Sequence, residues 1–421
     1  MLIEKILTRD NLLSALKRVE RNKVSHGVDN MSTKDLRSYI VNHWDELKQS
    51  LQNGTYQPHP VRRVEIPKPN GGMRLLGIPT VLDRFIQQAI TQVLTPIFDP
   101  SFSENSYGFR PKKRGHDAVR KAKGYIKEGF EWVVDIDLEK FFDKVNHDKL
   151  MGILAKRIPD KKLLKLIRSY LSAGVMIGGI FSESTEGTPQ GGPLSPLLSN
   201  IILDHLDKEL ERRECKFVRY ADDCNIYVKS KKAGLRTMSS IVSFIEKNLK
   251  LKVNMEKSSV DQPWNRKFLG FSFTNFKDIK ITISNQSLLR LKQKIKELTS
   301  RKNSIQMVKR IKKLNTYLVG WCGYYALADS PGELQRIDKW IRRRLRMCVW
   351  KQWKNPRTRI RKLISLGINK QTAYEWGNTR KGYWRISQSH ILNKSLGNRF
   401  WQNQGLKSLY QRYIFLRQNL I

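Results

Sequence analysis

The chain is poor in acids, poor in cysteine and without a long apolar run, and each shortage excludes something. Its 421 residues carry 38 Asp and Glu against 79 Lys and Arg, a formal charge of +41. Self-repulsion on that scale destabilises a compact chain unless a polyanion meets it. A general enzyme of small neutral metabolites is therefore excluded, and a nucleic-acid partner is expected. The cysteines are Cys215, Cys224, Cys322 and Cys348, and no two have the close spacing of a zinc site. Nor is a disulfide framework expected in a chain this long, so a reducing, cytoplasmic setting is expected. No apolar stretch approaches the ~18–20 residues of a membrane span, and Met1–Asp10 carries acids and too short an apolar stretch for a secretory signal. There is neither a Walker-type phosphate loop nor a dinucleotide-binding glycine fingerprint. What remains is 39% hydrophobic and 10% aromatic, too rich for a disordered basic tail. The length allows two or three cores.

The charge is unevenly spread. From Arg301 to Ile421 there are 27 basic residues against 4 acidic ones, and seven of the ten tryptophans lie there. Cations interleaved with large aromatics suit phosphate contacts with stacking; tryptophans in a core beneath a solvated basic face are the alternative. Periodicity gives the coarse structure. A capped amphipathic helix opens at Asp10, a polar loop runs from Asn22 to Ser32, and Val61–Pro79 reads as a β-hairpin turning at Pro69-Asn70-Gly71-Gly72. Helices and strands alternate to about residue 285, where Asn285 begins an almost wholly helical region. Asp338–Lys354 sets apolar residues on one helical side and arginines on the other.

The stretch Phe217-Val-Arg-Tyr-Ala-Asp222-Asp223-Cys-Asn-Ile-Tyr-Val228 places two adjacent carboxylates in a tight turn between β-prone runs. Paired carboxylates repel, and a divalent cation would offset that repulsion; hard oxygen ligands suit Mg²⁺. An exposed Asp-Asp turn is the plain alternative. A second stretch, from Glu131 to His147, reads as a buried strand that delivers an acid at its end and then a helix. Asp135 and Asp137 lie two apart on one strand face, so either can be that acid. Three carboxylates from two distant segments suit two-metal phosphoryl transfer.

Tyr220-Ala221-Asp222-Asp223 resembles the YxDD box of reverse transcriptases. Blocks around it stand in the order found in bacterial group II intron-encoded reverse transcriptase/maturases. They include Val64-Glu-Ile-Pro-Lys-Pro, Leu76 to Ala89, Ser106-Tyr-Gly-Phe-Arg-Pro111, Gly187 to Asn200, Leu251 to Lys257, Phe268-Leu-Gly-Phe271 and Gly320-Trp-Cys-Gly-Tyr-Tyr325. The resemblance covers essentially the whole chain and is greatest to the compact class C type. It implies an α+β right-hand polymerase, with fingers and palm built on antiparallel sheet, followed by an all-α thumb or maturase region. The implied domains are an N-terminal extension with a template-contacting loop (1–60), fingers and palm (61–285), helical thumb/maturase (286–355) and a basic DNA-binding segment (356–421).

Aligned on Phe141-Phe142-Asp143, the resemblance makes Asp137 the metal ligand beside Asp222 and Asp223, with the backbone carbonyl of Leu138 assisting. Asp143 is then structural. Two Mg²⁺ ions are implied, and Phe142 matches the aromatic gate that excludes a ribose 2′-hydroxyl. Lys68 and Arg74 flank the hairpin turn and could clamp a triphosphate, and the Gln190 amide could hold the incoming nucleotide. Lys257 resembles the lysine that protonates pyrophosphate, against an ordinary post-helix lysine. Arg110 and Arg219 are expected either on nucleic acid or in structural pairs. Arg342, Arg343, Arg344 and Arg346 are expected on the nucleic-acid backbone. The implied partners are intron RNA as template, a DNA or RNA primer, target DNA and dNTPs, with no membrane, for a monomer or homodimer. No HNH-type endonuclease can be assembled after residue 301, where His390 is the only histidine. A splicing maturase with an inactive polymerase site and a relative co-opted for defence are the competing classes. The intact set Asp137, Asp222, Asp223, Lys68, Arg74 and Gln190 favours the polymerase.

Overall fold

The computed structural model describes the chain except residues 23–24, 68–70, 178, 184–185, 189–190 and 420–421. It divides into two compact units, Met1–Pro263 and Trp264–Ile421.

The first unit carries two sheets. One is built on the hairpin β1 (Val61–Pro67) and β2 (Met73–Ile78), paired antiparallel from Arg62↔Ile78 to Pro67↔Met73. Part of the expected turn, Pro69-Asn70, lies outside the described residues. The next strands are β3 (Trp132–Ile136), β4 (Val175–Ile177) and β5 (Ile180–Ser182). β4 joins β1 in parallel and β5 follows it antiparallel, so this sheet is mixed. The second sheet adds β6 (Lys216–Tyr220), β7 (Asp223–Val228) and β8 (Ser259–Asp261), in the order β6-β7-β3-β8, antiparallel throughout. Val133, Val134, Ile136 and the residues from Cys224 to Tyr227 are buried, as β-prone runs covered on both faces require.

The helix Val81–Phe98 runs through the core, with Val81, Phe85, Ala89, Ile90 and Leu94 buried along it. It starts where it does because the Thr80 hydroxyl accepts from the Asp83 amide at 3.1 Å, satisfying a donor that the first turn leaves open. The helix Ser195–Arg212 buries Leu198, Ile202, Leu206 and Leu210 in the same core as Phe217 and Ile226. The loop expected at Asn22–Ser32 is a loop where it is described. Gly27 lies against the Thr80 backbone, where an added Cβ would stand 2.6 Å from Cα.

The second unit has one short hairpin, β9 (Phe271–Phe273) with β10 (Ile281–Ile283), and is helical from Asn285 onward, as expected. Its long helices are Asn285–Leu298, Met307–Tyr325 and Pro331–Gln352. Polar N-caps punctuate it: Ser284, Asn355, Asn369, Ser389 and Ser408 each accept from a first-turn amide. Trp350 and Trp401 are core residues at 1% exposure, whereas Trp384 is 38% exposed. Packing therefore claims at least two of the tryptophans that stacking on bases would also suit.

The arginines of Pro331–Gln352 do not project as a set, which corrects the expectation for part of the cluster. Arg346 is buried and its Nε donates to the Ser387 carbonyl at 2.8 Å. Arg344 donates from Nε to Thr299 Oγ1 at 2.6 Å, and Arg343 lies over the Trp384 ring at 3.8 Å. Arg342 is half-buried. The physical reason is that chain segments flank the helix on more than one side, so its polar face is partly an internal face. Burial lowers the pKa of all four guanidiniums, that of Arg346 to about 10, with Arg342 and Arg343 adding repulsion there.

Candidate active site

The register of the second sheet assembles the acids. β3 and β7 run antiparallel with Asp135 opposite Asn225 and Ile136 opposite Cys224. The ladder ends at that pair; Asp137 is the next residue after β3 and Asp223 is the first of β7, so two carboxylates lie at the same end of adjacent central strands. Asp222 sits one residue earlier, in the two-residue connection that closes β6 onto β7 at Tyr220↔Asp223. All three acids are half-buried. Asp135, the other candidate, lies within the ladder, opposite Asn225 on one side and Ser259 on the other.

The backbone after β3 is fixed from the other side. The Asp137 amide donates to Ser258 Oγ at 2.9 Å, the Asn254 amide donates to the Asp137 carbonyl at 2.8 Å, and the Glu139 amide donates to the Lys252 carbonyl at 2.8 Å. These bonds flank an isolated antiparallel bridge between Leu138 and Val253. In that pattern the bridged residue's own carbonyl stays outside the pairing. Leu138 therefore has an oxygen turned away from Val253, one residue along the chain from Asp137. The donor set is hard oxygen throughout and suits a divalent cation such as Mg²⁺. Among the described residues, no three His, Cys, Asp or Glu side chains are drawn together closely enough to hold an ion by themselves.

Lys257 Nζ stands 4.0 Å from Asp137 Oδ1, the lysine exposed to solvent and the aspartate half-buried. Asp143 pairs with Arg63 of β1 at 3.5 Å, consistent with a structural part. Phe142 is on the short helix Phe141–Lys144, its ring edge-on to Phe141, and is the more accessible of the two at 8% against 2%. Its carbonyl accepts from the Thr188 amide at 2.5 Å, and the His147 ring bonds to the Gly187 carbonyl at 2.6 Å. The loop before Gln190 is thus laid along the Phe142 helix. Gln190 itself lies outside the described residues, as does Lys68, and Arg74 is placed only as a backbone position opposite Ile66. Just past Gln190, Gly191 (φ 133) meets the Gly77 carbonyl, where a Cβ would stand 2.6 Å away.

Arg110 and Arg219 are both held in internal pairs. Arg110 Nε donates to Asp99 at 2.8 Å, and its remaining bonds go to carbonyls. Arg219 is fully buried against Asp207. Asp207 carried no motif, but it had a signal. It falls seven residues after Asn200 on the stripe that otherwise presents Leu203, Leu206 and Leu210 to the core. Polar residues on an apolar stripe announce a buried partner. His147 and Ser258 had no comparable mark.

Residues 66–273 match the family described as reverse transcriptase (RNA-dependent DNA polymerase), and residues 288–364 match the group II intron, maturase-specific domain. Protein YkfC of Escherichia coli (strain K12) is 33% identical over 297 residues, 61% of this chain and 78% of that protein. The group II intron-encoded protein LtrA of Lactococcus lactis subsp. cremoris is 42% identical over 175 residues, 41% of this chain and 29% of that one. A putative COX1/OXI3 intron 2 protein of Saccharomyces cerevisiae is 28% identical over 387 residues, 76% of this chain and 44% of that protein. The chain thus spans less than half of the latter two.

Proposed function

The chain belongs to the family of group II intron-encoded reverse transcriptase/maturases, and from that premise we propose how its parts divide the work. It is an RNA-directed DNA polymerase that extends a primer 3′-hydroxyl with dNTPs. It also acts as a maturase on intron RNA, aiding splicing and the return of the intron to target DNA. What supports the reading is the β3–β7 register, whose last pair, Ile136↔Cys224, is followed by Asp137 on one side and preceded by Asp223 on the other, with Asp222 in the adjoining turn. Asp137, Asp222, Asp223 and the Leu138 carbonyl would hold two Mg²⁺ ions, which when bound supply charge stabilisation at the attacking and leaving oxygens. Lys68 and Arg74 neutralise the triphosphate, Gln190 orients the nucleotide and Phe142 lies under its sugar. Lys257 Nζ, beside Asp137, is the candidate proton donor to the departing pyrophosphate oxygen. The loop within the N-terminal 1–60 contacts template. Residues 61–285 are fingers and palm, 286–355 the thumb/maturase domain and 356–421 the DNA-binding segment. No helix among the described residues is long and apolar enough to cross a membrane.

The experiment is extension of a DNA primer on an RNA template by the full chain and by Asp222→Asn, titrated with Mg²⁺. The expected outcome is Mg²⁺-dependent synthesis that falls by orders of magnitude in the variant while RNA affinity hardly changes. Undiminished synthesis by Asp222→Asn would remove the metal assignment, and no synthesis by the unaltered chain would leave a splicing maturase alone.

A further inference from the structure

The turn that carries Asp222 and Asp223 is held in a conformation its sequence does not favour. Ala221 has φ 57, in the left-handed region where a residue with a Cβ is uncommon. Such a residue is strained and persists only where its surroundings over-determine it. Three contacts do so here. Gly108 lies against the turn so closely that a Cβ on it would stand 2.2 Å from the Ala221 nitrogen. The Asn200 side-chain amide donates to the Gly108 carbonyl at 2.8 Å, fixing that loop. Arg219 Nη1 donates to the Ala221 carbonyl at 2.8 Å.

Arg219 can make that contact in only one orientation, because all five of its N–H donors are engaged. Nε and one Nη2 hydrogen fork onto Asp207 at 2.7 and 2.5 Å. The second Nη2 hydrogen goes to Ser106 Oγ at 2.8 Å, and Nη1 divides between Asn200 Oδ1 at 3.0 Å and Ala221. The backbone repeats the fixation: the Arg219 amide donates to the Asn105 carbonyl and the Tyr107 amide to the Arg219 carbonyl, both at 2.9 Å. Arg219 and Asp207 are each 0% exposed. A buried ion pair is a weak source of stability, since apolar residues of similar volume often serve as well. What apolar residues cannot supply is a rigid fork that delivers one donor to one carbonyl.

We infer that Arg219, locked by Asp207, is a positioning residue for the polymerase reaction. Through the Ala221 carbonyl it fixes the direction in which Asp222 and Asp223 leave the turn. The inference rests on the reading of that turn as the metal-holding turn of the polymerase.

The test uses the full chain as Arg219→Lys and as the paired apolar replacement Arg219→Met with Asp207→Leu. The pair removes the fork without stranding a buried charge. Melting and RNA affinity report the fold. Single-turnover incorporation is titrated with Mg²⁺, and amide hydrogen exchange at Ala221–Asp223 is read without metal. Loss of a group that orients metal ligands typically costs ~10–100-fold in metal affinity or activity. The expected result is a folded apolar pair with near-normal RNA affinity, faster exchange confined to the turn, a raised Mg²⁺ midpoint and a rate lowered by roughly that factor. Arg219→Lys should shift the midpoint in the same direction. A folded apolar pair with an unchanged Mg²⁺ midpoint and unchanged exchange overturns the inference. Loss of the fold in both proteins overturns it too, by leaving the pair a purely structural role. If instead Asp222→Asn polymerises normally, the reading of the turn has failed, whatever Arg219 does.

Discussion

The two units differ in how they bury arginine. In Met1–Pro263 two buried guanidiniums find a carboxylate, Arg219 on Asp207 and Arg110 on Asp99, while Arg84 donates to the Ser25 and Thr80 carbonyls. In Trp264–Ile421 a buried guanidinium finds backbone oxygen. Arg310, 2% exposed, donates to the Leu298, Ser300 and Asn303 carbonyls at 2.8–3.0 Å, and Arg346 to Ser387. The one buried acid described in the second unit, Asp338, is itself engaged by the Ser408 hydroxyl and the Leu409 and Tyr410 amides, capping the helix Leu409–Gln418. Carbonyls at a helix C-terminus such as Leu298 carry partial negative charge, so they satisfy a guanidinium without cancelling it. The first unit has 44 basic and 32 acidic residues, the second 35 and 6. The first unit offsets most of its cations with its own acids; the second leaves most of its cations without an acid to offset them.

The largest effect that can break this comparison is that of salt on RNA binding. With ~6–10 phosphates neutralised, affinity should fall by roughly 10³–10⁵ between about 50 and 200 mM salt. Lys339 and Arg342, which line a cavity with Arg336, Arg343 and Arg346 and no acid among the described lining residues, are the pair to neutralise. Lys339→Gln with Arg342→Gln should flatten the logarithmic salt slope by about 2, uniformly across RNA sequences. Arg344→Gln with Arg346→Gln should instead lower the melting temperature with little change of slope, because both side chains are engaged within the unit. An unchanged slope in the first pair would move the phosphate track elsewhere.

A smaller effect sharpens the comparison from within. Arg310→Met should destabilise the second unit by about 3–5 kcal/mol, since three buried carbonyls lose a charged donor at once. Chemical denaturation of the full chain reads this. A loss under about 1 kcal/mol would mean that water readily replaces the guanidinium there.

How much of this could be read beforehand differs between the units. The strand before Asp137, the turn at Asp222 and the helical region from Asn285 follow local periodicity and turn chemistry, and all three stand where expected. What pairs with Arg219 did not, because Asp207 lies on a helix that only the tertiary fold brings beneath the turn. The fate of Arg344 and Arg346 was hidden for a related reason. A helical wheel shows which face is polar; it does not show that Thr299 and Ser387, from distant segments, will lie against that face. Leu138 is the intermediate case: the resemblance named its carbonyl, and only the bridge to Val253 gives that a geometric basis.

The smallest predicted effect concerns a second acid on the helix that carries Asp207. Asp204 lies one turn before Asp207 on the same helix, yet Arg219 forks onto Asp207 alone. Burial first, and the Asp207 charge second, push the Asp204 carboxyl up to about 6 from an ordinary 3.8. Its folded form therefore holds a proton more tightly than the unfolded chain does. Above about pH 6 the ionised carboxylate costs stability, and that cost disappears as pH falls from about 6 to about 4. Two pKa units correspond to at most about 3 kcal/mol. Asp204→Asn removes the charge and keeps the shape, so it should raise stability by about 1–3 kcal/mol at pH 8 and by much less at pH 4. His147, whose pKa burial lowers, titrates in both proteins and cancels in the difference. The measurement is the denaturant midpoint of the two proteins at the two pH values. An equal gain at both would show that the carboxylate is not strained by its neighbour, and that the first unit can host a half-buried acid next to Asp207 without cost.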